Sequence, residues 1–209
     1  MNILTESLPL AIEIDGIEYE INSGFRSCLR IILAFEDNEL ADAEKRMILL
    51  NNLYKSMPHD IPQAIKKGIR FLDGGKDSGN GESNGESELR LYSFEQDASY
   101  IMAAFKQTHG IDLDAVEMHW WKFLALFMDL GSETTFSSLV SLRKRVKTGK
   151  ATKEERAVAR EIKEIFDLPD IDRRTLEERE AEAHFMELVA TGKKQHKQDI
   201  EYPEEAIND

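Results

Sequence analysis

The 209-residue chain has a single cysteine, Cys28, which excludes an internal disulfide framework and suits a reducing cytosol. It lacks a long hydrophobic run. The densest apolar stretch, Trp120 to Met128, is broken by Lys122 and is far shorter than the ~20 residues a membrane helix needs. Met1 to Leu10 carries Glu6, no Lys or Arg and no long apolar run, so no signal peptide is expected there. Catalytic patterns are missing too. Lys76 in the glycine-rich stretch is followed by Asp77, so no phosphate loop is spelled, and GxSxG is absent. His59, His109, His119, His184 and His196 are scattered, and none forms HExxH or another metal pair. Cations are outnumbered 27 to 40, and the net charge of -13 repels bulk nucleic acid and anionic membrane surfaces. Glu177, Glu178, Glu180 and Glu182, with Arg174 and Arg179 among them, read as a solvated helix face and not as an acid–base pair in a cleft. The expectation is a soluble protein that is not an enzyme, with no catalytic residue, no cofactor and no metal.

What is present is a globular composition, 41% hydrophobic and 32% charged, enough for one good core or for two small units sharing a seam. Leu10, Ile12 and Ile14, then Ile17, Tyr19 and Ile21, alternate with polar residues around Asp15-Gly16, which predicts a β-hairpin. The period then becomes helical. Phe25, Leu29, Ile32 and Phe35 form one stripe, and a second helix is expected from about Glu39 to Ser56 with Leu40, Met47, Leu50 and Tyr54 on one side. A third opens near Pro62, runs through Ile65, Ile69 and Phe71, and stops at Gly74-Gly75.

Further helices are expected after a polar stretch. A capping box at Ser93-Phe94-Glu95-Gln96 opens one, and others are expected from about Asp112 to Leu130 and from Thr134 to Lys147. Thr152 caps another, through Val158, Ile162 and Ile165, and Thr175 caps a last one to Gly192. The predicted fold class is mainly α: a small N-terminal hairpin and about eight helices, in two halves joined by a Gly/Ser-rich linker. The expected divisions are a hairpin with helices over 1–72, a flexible linker over 73–88 with no apolar residue to offset the entropy of ordering it, a helical half over 89–170, and an acidic helix with a frayed tail over 171–209.

Four local features carry alternatives. Cys28 lies among Phe25, Leu29 and Ile32 and reads either as a buried hydrophobe or as a reactive thiol, which would need an exposed electropositive setting. His119 is either a ligand or a polar-edge residue. Between Arg143 and Lys163, nine cations face three acids, a basic segment that could complement the acidic C-terminal helix, an acidic partner or nucleic acid; it has no interleaved aromatics for stacking. The segment from Trp120 to Met128 is apolar nearly all round, so it is either a central core helix or a partly exposed seam. On the second reading Trp120, Trp121, Phe123 and Phe127 are the candidate partner-binding residues.

Asp15-Gly16-Ile17-Glu18-Tyr19-Glu20-Ile21-Asn22 with Phe25-Arg26, then Tyr92-Ser93-Phe94-Glu95-Gln96-Asp97-Ala98, Gly110-Ile111-Asp112-Leu113 and Met118-His119-Trp120-Trp121-Lys122-Phe123-Leu124-Ala125-Leu126 together resemble the bacteriophage gene-product-fifteen family of tailed phages and prophages of Gram-positive bacteria. The resemblance covers roughly residues 8 to 170, and the His-Trp-Trp-Lys-Phe block is its most specific part. It implies a tail assembly chaperone that binds the tape measure protein, with the tail tube protein as a further partner and self-association left open. It also implies action in the host bacterial cytoplasm and absence from the mature virion, and it carries over no catalytic residue. A structural tail component is the alternative, and nucleic-acid binding through 143–163 ranks below both.

Overall fold

The computed structural model describes residues 4–76 and 89–169. The chain divides into two units, residues 1–171 and 172–209, and every described residue belongs to the first. The helix and tail expected after residue 170, and residues 77–88 of the expected linker, lie outside the described residues.

Strands β1 (Ala11–Ile14) and β2 (Ile17–Glu20) form the expected hairpin, in antiparallel register from Ala11 opposite Glu20 to Ile14 opposite Ile17. Asp15 and Gly16 both take positive φ, 50° and 78°, as a two-residue turn matching strand twist requires. A lone hairpin is marginal in water, and this one is docked. Ile14 is fully buried, Lys55 N–H donates to Glu20 O at 3.0 Å, and Asn22 N–H donates to Leu53 O at 2.7 Å.

Helices α1 (Phe25–Glu36), α2 (Asp42–Leu53) and α3 (Ile61–Leu72) follow, with α1 packed on α2 and α2 on α3. Helix α2 is shorter than the expected 39–56. Glu44 Oε2 accepts from Ala41 N–H at 2.8 Å and sets its start, and Tyr54 leaves it to pair with Ile21. Its inner face also differs, because Lys45, Leu49 and Leu53 fall at i, i+4 and i+8 and turn Met47 outward. The Lys45 stem is buried while Nζ donates to Phe35 O at 3.2 Å. In α3 the Asp60 side chain caps Gln63 N–H at 2.9 Å and Pro62 sits in the first turn. Gly68 lets α3 approach α2 closely, since a Cβ there would lie 3.0 Å from both Leu49 and Leu53.

After residue 89 come α4 (Ala98–His109), α5 (Trp120–Met128), α6 (Thr135–Lys147), α7 (Lys153–Glu161) and α8 (Lys163–Phe166). The cap at Thr152 stands where the sequence places it, and Thr134, the expected start of α6, proves to be its cap by accepting from Ser137 N–H. Three expectations are revised. Ser93 does accept from Gln96 N–H, but the helix begins only at Ala98, because Asp97 turns its carboxylate back onto Ser93 N–H at 3.0 Å. The helix expected from Asp112 begins at Trp120, because 113–115 form a turn and His119 pairs as an isolated bridge with Gly24. The last described helix is divided at Ile162.

Both sides of residues 77–88 contribute to one hydrophobic cluster. Ile14, Phe25, Ile31, Leu49 and Phe71 meet Ile101, Phe105, Trp120, Phe123 and Phe136 in it. A smaller cluster joins Leu139, Ala159 and Phe166 under α6, α7 and α8.

Candidate partner-binding surface

The His119-Trp120-Trp121 block explains its own position. His119 Nδ1 accepts from Trp121 N–H at 3.1 Å and so caps α5, which leaves Nε2 as the protonated nitrogen facing Pro9 O at 3.0 Å. Neighbours on a helix diverge by ~100°, yet both indoles reach the end of α3. Trp120 Nε1 donates to Leu72 O at 2.7 Å and Trp121 Nε1 to Phe71 O at 2.8 Å. They supplement a Schellman ending in which Gly74 N–H donates to Phe71 O and Gly75 N–H to Arg70 O. The two indoles and two glycines thus satisfy carbonyls that the end of a helix leaves without partners. Gly75, at φ 76°, lies directly under Trp121, where a Cβ would come within 2.6 Å of the ring.

Of the four residues expected to grip a partner, Trp120, Phe123 and Phe127 are buried and Trp121 is half-buried. Phe123 is the hub of an aromatic stack. It lies 5.1 Å from Phe25, 5.1 Å from Phe105, 5.5 Å from Trp120 and 6.0 Å from Phe127, ring centre to ring centre. Trp121 stacks on Phe71 at 5.6 Å. Trp120 and Phe127 therefore belong to the core, and Phe123 reaches the surface region only as the floor of the cleft described next.

An accessible apolar surface exists beside them. A cleft of about 220 Å³ opens above Phe123, lined by Phe25, Leu29, Phe94, Ile101, Met102 and Leu113. Met102 and Ala98 of α4 are exposed at it, and Arg26 and Asp114 provide its polar lining. Arg26 holds one wall. Its guanidinium donates to the carbonyls of Leu113 at 2.5 Å and Val116 at 2.9 Å while lying 4.6 Å from the centre of the Phe25 ring. Phe25 N–H donates to Met118 O, and Trp120 N–H to Ser23 O, so the same wall is stitched to the start of α1. The residues of this cleft come from α1, the segment before α4, α4 itself, α5 and the 111–118 segment, a convergence with no signature in any one stretch of sequence.

The basic segment is less available than its composition implies. Arg143 is fully buried. It forms a two-pronged ion pair with Asp97 and donates to the carbonyls of Leu91, Ile165 and Phe166. Arg145 pairs with Glu155 at 2.9 Å, and Lys147 Nζ donates to Arg90 O. Cys28 is buried, and desolvation pushes its thiol up to about 12, so it is an inert small hydrophobe. Burial likewise raises the Glu36 carboxyl, against the lowering effect of Arg90 beside it. Among the described residues no group of three His, Cys, Asp or Glu side chains is placed to hold a metal ion, and no helix is long and apolar enough to cross a membrane.

Residues 4–168 match the family described as Bacteriophage Gp15 protein. The chain belongs to this family. No curated protein and no solved structure matches it. The Gp15 match spans both sides of residues 77–88, as the shared core does, and stops just beyond Phe166, whose carbonyl accepts from Arg143.

Proposed function

We propose that this phage protein is a tail assembly factor that works without turnover, by holding the tape measure protein during tail morphogenesis. The observation that carries the reading is the apolar cleft above Phe123, with its exposed Met102 and its polar pair, Arg26 and Asp114. Such a cleft suits one or two apolar side chains projecting from an amphipathic helix, and a methionine at its mouth adapts to different ones. A tape measure is a long helical chain whose apolar stripe must stay soluble until tube subunits surround it. Many copies bound along it, each weakly, would give avidity without a tight individual site. The net charge of -13 would keep the loaded complex dispersed. On this reading the protein acts in the host cytoplasm and leaves before the virion is complete.

Co-expression tests the idea. The tape measure protein should become more soluble with this partner than without it, and should co-purify with it. Equal insolubility in both cases would remove the main support. Mass spectrometry of purified virions then separates a chaperone, which should be missing, from a structural tail component, which should be present.

A further inference from the structure

A second cleft, of about 470 Å³, lies between α6 and the α7–α8 pair. Its floor is apolar, formed by Val146, Ala159 and Phe166, and its rim is cationic, formed by Arg156, Arg160 and Lys163. Arg156 and Arg160 stand four apart on α7 and Lys163 opens α8, and all three line the same cleft. Among the described residues none of the three makes an ion pair, whereas Arg26, Arg90, Arg143 and Arg145 all do. Asp167 is the acid among the lining residues. Arg156 donates to Gly149 O and Arg160 to Arg156 O, so among the described residues the three cations have backbone partners at most, in a chain of net charge -13.

The complementary surface is on the same molecule. The segment from the end of α1 into the first turn of α2 carries Asp37, Glu39 and Asp42 with no cation from 37 to 44, and none of these three acids makes an ion pair among the described residues. Leu40 stands between them, half-buried. Arg90 links the neighbourhoods of the two surfaces. It donates to Glu36 Oε2 at 2.8 Å, one residue before that segment, and to Pro169 O at 2.6 Å, just past the cleft.

We propose that the α6–α7–α8 cleft receives the acidic 37–44 segment of a second copy of this chain, with Leu40 over the apolar floor and the three acids against the three cations. Two complementary patches on one molecule allow a two-fold pair in which both contacts form at once. Nucleic acid fits less well, because the one aromatic ring of the cleft, Phe166, is buried in the floor and the rim offers none on which bases could stack in succession. The contact is independent of the holding role proposed above, and either can fail without the other.

Sedimentation velocity on the full chain is the test. At low ionic strength the wild type should associate, and added salt should weaken the association by about tenfold or more as the screening length shrinks. A cleft variant (Arg156→Glu, Arg160→Glu, Lys163→Glu) and a segment variant (Asp37→Lys, Glu39→Lys, Asp42→Lys) should each be monomeric alone, and their equimolar mixture should associate again. The milder Leu40→Asp, which leaves the first turn of α2 intact, should also weaken self-association. Circular dichroism should show every variant folded. A monomeric wild type at low salt, a cleft variant that still associates alone, or a mixture that stays monomeric overturns the proposal. So does a monomeric wild type that retains a single-stranded oligonucleotide through these three cations.

Discussion

Arg143 and Asp97 form a two-pronged ion pair with Nη1–Oδ2 at 2.6 Å and Nη2–Oδ1 at 3.0 Å, and neither side chain is exposed. The pair is fully satisfied. Ser93 N–H donates to the same carboxylate, and three backbone carbonyls take the rest of the guanidinium. It binds the segment before α4 to α6 and to the end of α8. Removing one partner strands a buried charge, so Asp97→Ala should lower the stability measured by urea unfolding by about 3–5 kcal/mol. Arg145→Ala, which breaks a half-exposed pair with Glu155, should cost about 0–1 kcal/mol. Equal effects of the two would contradict this division.

The paired indoles at the end of α3 make a graded prediction. Trp121→Phe keeps a ring on Phe71 and removes one donor, and should cost about 1 kcal/mol. Trp120→Phe should cost more, because it also leaves space in the buried core beside Phe123. Gly75→Ala forces a Cβ onto the Trp121 ring at a left-handed φ and should cost roughly 1–2 kcal/mol or more. A neutral Gly75→Ala in the same urea titrations would show that the Trp121 contact is dispensable.

Alkaline pH gives a test of the core. Burial raises the Cys28 thiol from 9.0 to about 12 and the Tyr54 hydroxyl from 10.0 to about 12. Between these limits the unfolded chain loses both protons while the folded chain keeps them. Folding stability is therefore full below 9.0 and falls as pH rises towards about 12. Urea midpoints should decline across that window, and Cys28 should resist a thiol reagent until the chain is unfolded. Rapid labelling of the native protein would contradict the burial.

His119 ties the start of α5 to Pro9 and caps Trp121 N–H. His119→Ala should cost about 1 kcal/mol by the loss of the cap, with hydrogen exchange rising at the first turn of α5. Unchanged exchange there would show that the cap carries no weight.

Much of the fold is legible locally. Asp15-Gly16 sets the hairpin, Thr134 and Thr152 set helix starts, and Gly74-Gly75 sets the end of α3. What escapes is long-range. Leu113 and Val116 sit at helical spacing to Trp120, yet Arg26, 87 and 90 residues away, takes their carbonyls and leaves the stretch before α5 outside the helix. Arg143 reads as part of a charged segment because its partner, Asp97, lies 46 residues earlier. The aromatic block reads either as core or as seam, since its periodicity does not say which side is covered. In three dimensions it is mostly core, and the accessible cleft is built from Met102, Ala98 and Leu113 around it.

On the proposed function, the cleft above Phe123 grips an apolar side chain of the tape measure protein. The direct test is the affinity of a tape measure helix for wild type, Ala98→Trp and Met102→Asp, with Met128→Asp, an exposed α5 residue that does not line the cleft, as control. Filling the cleft or charging its mouth should weaken binding by about tenfold or more, and the control should bind as wild type does. Wild-type affinity in both cleft variants would contradict the account.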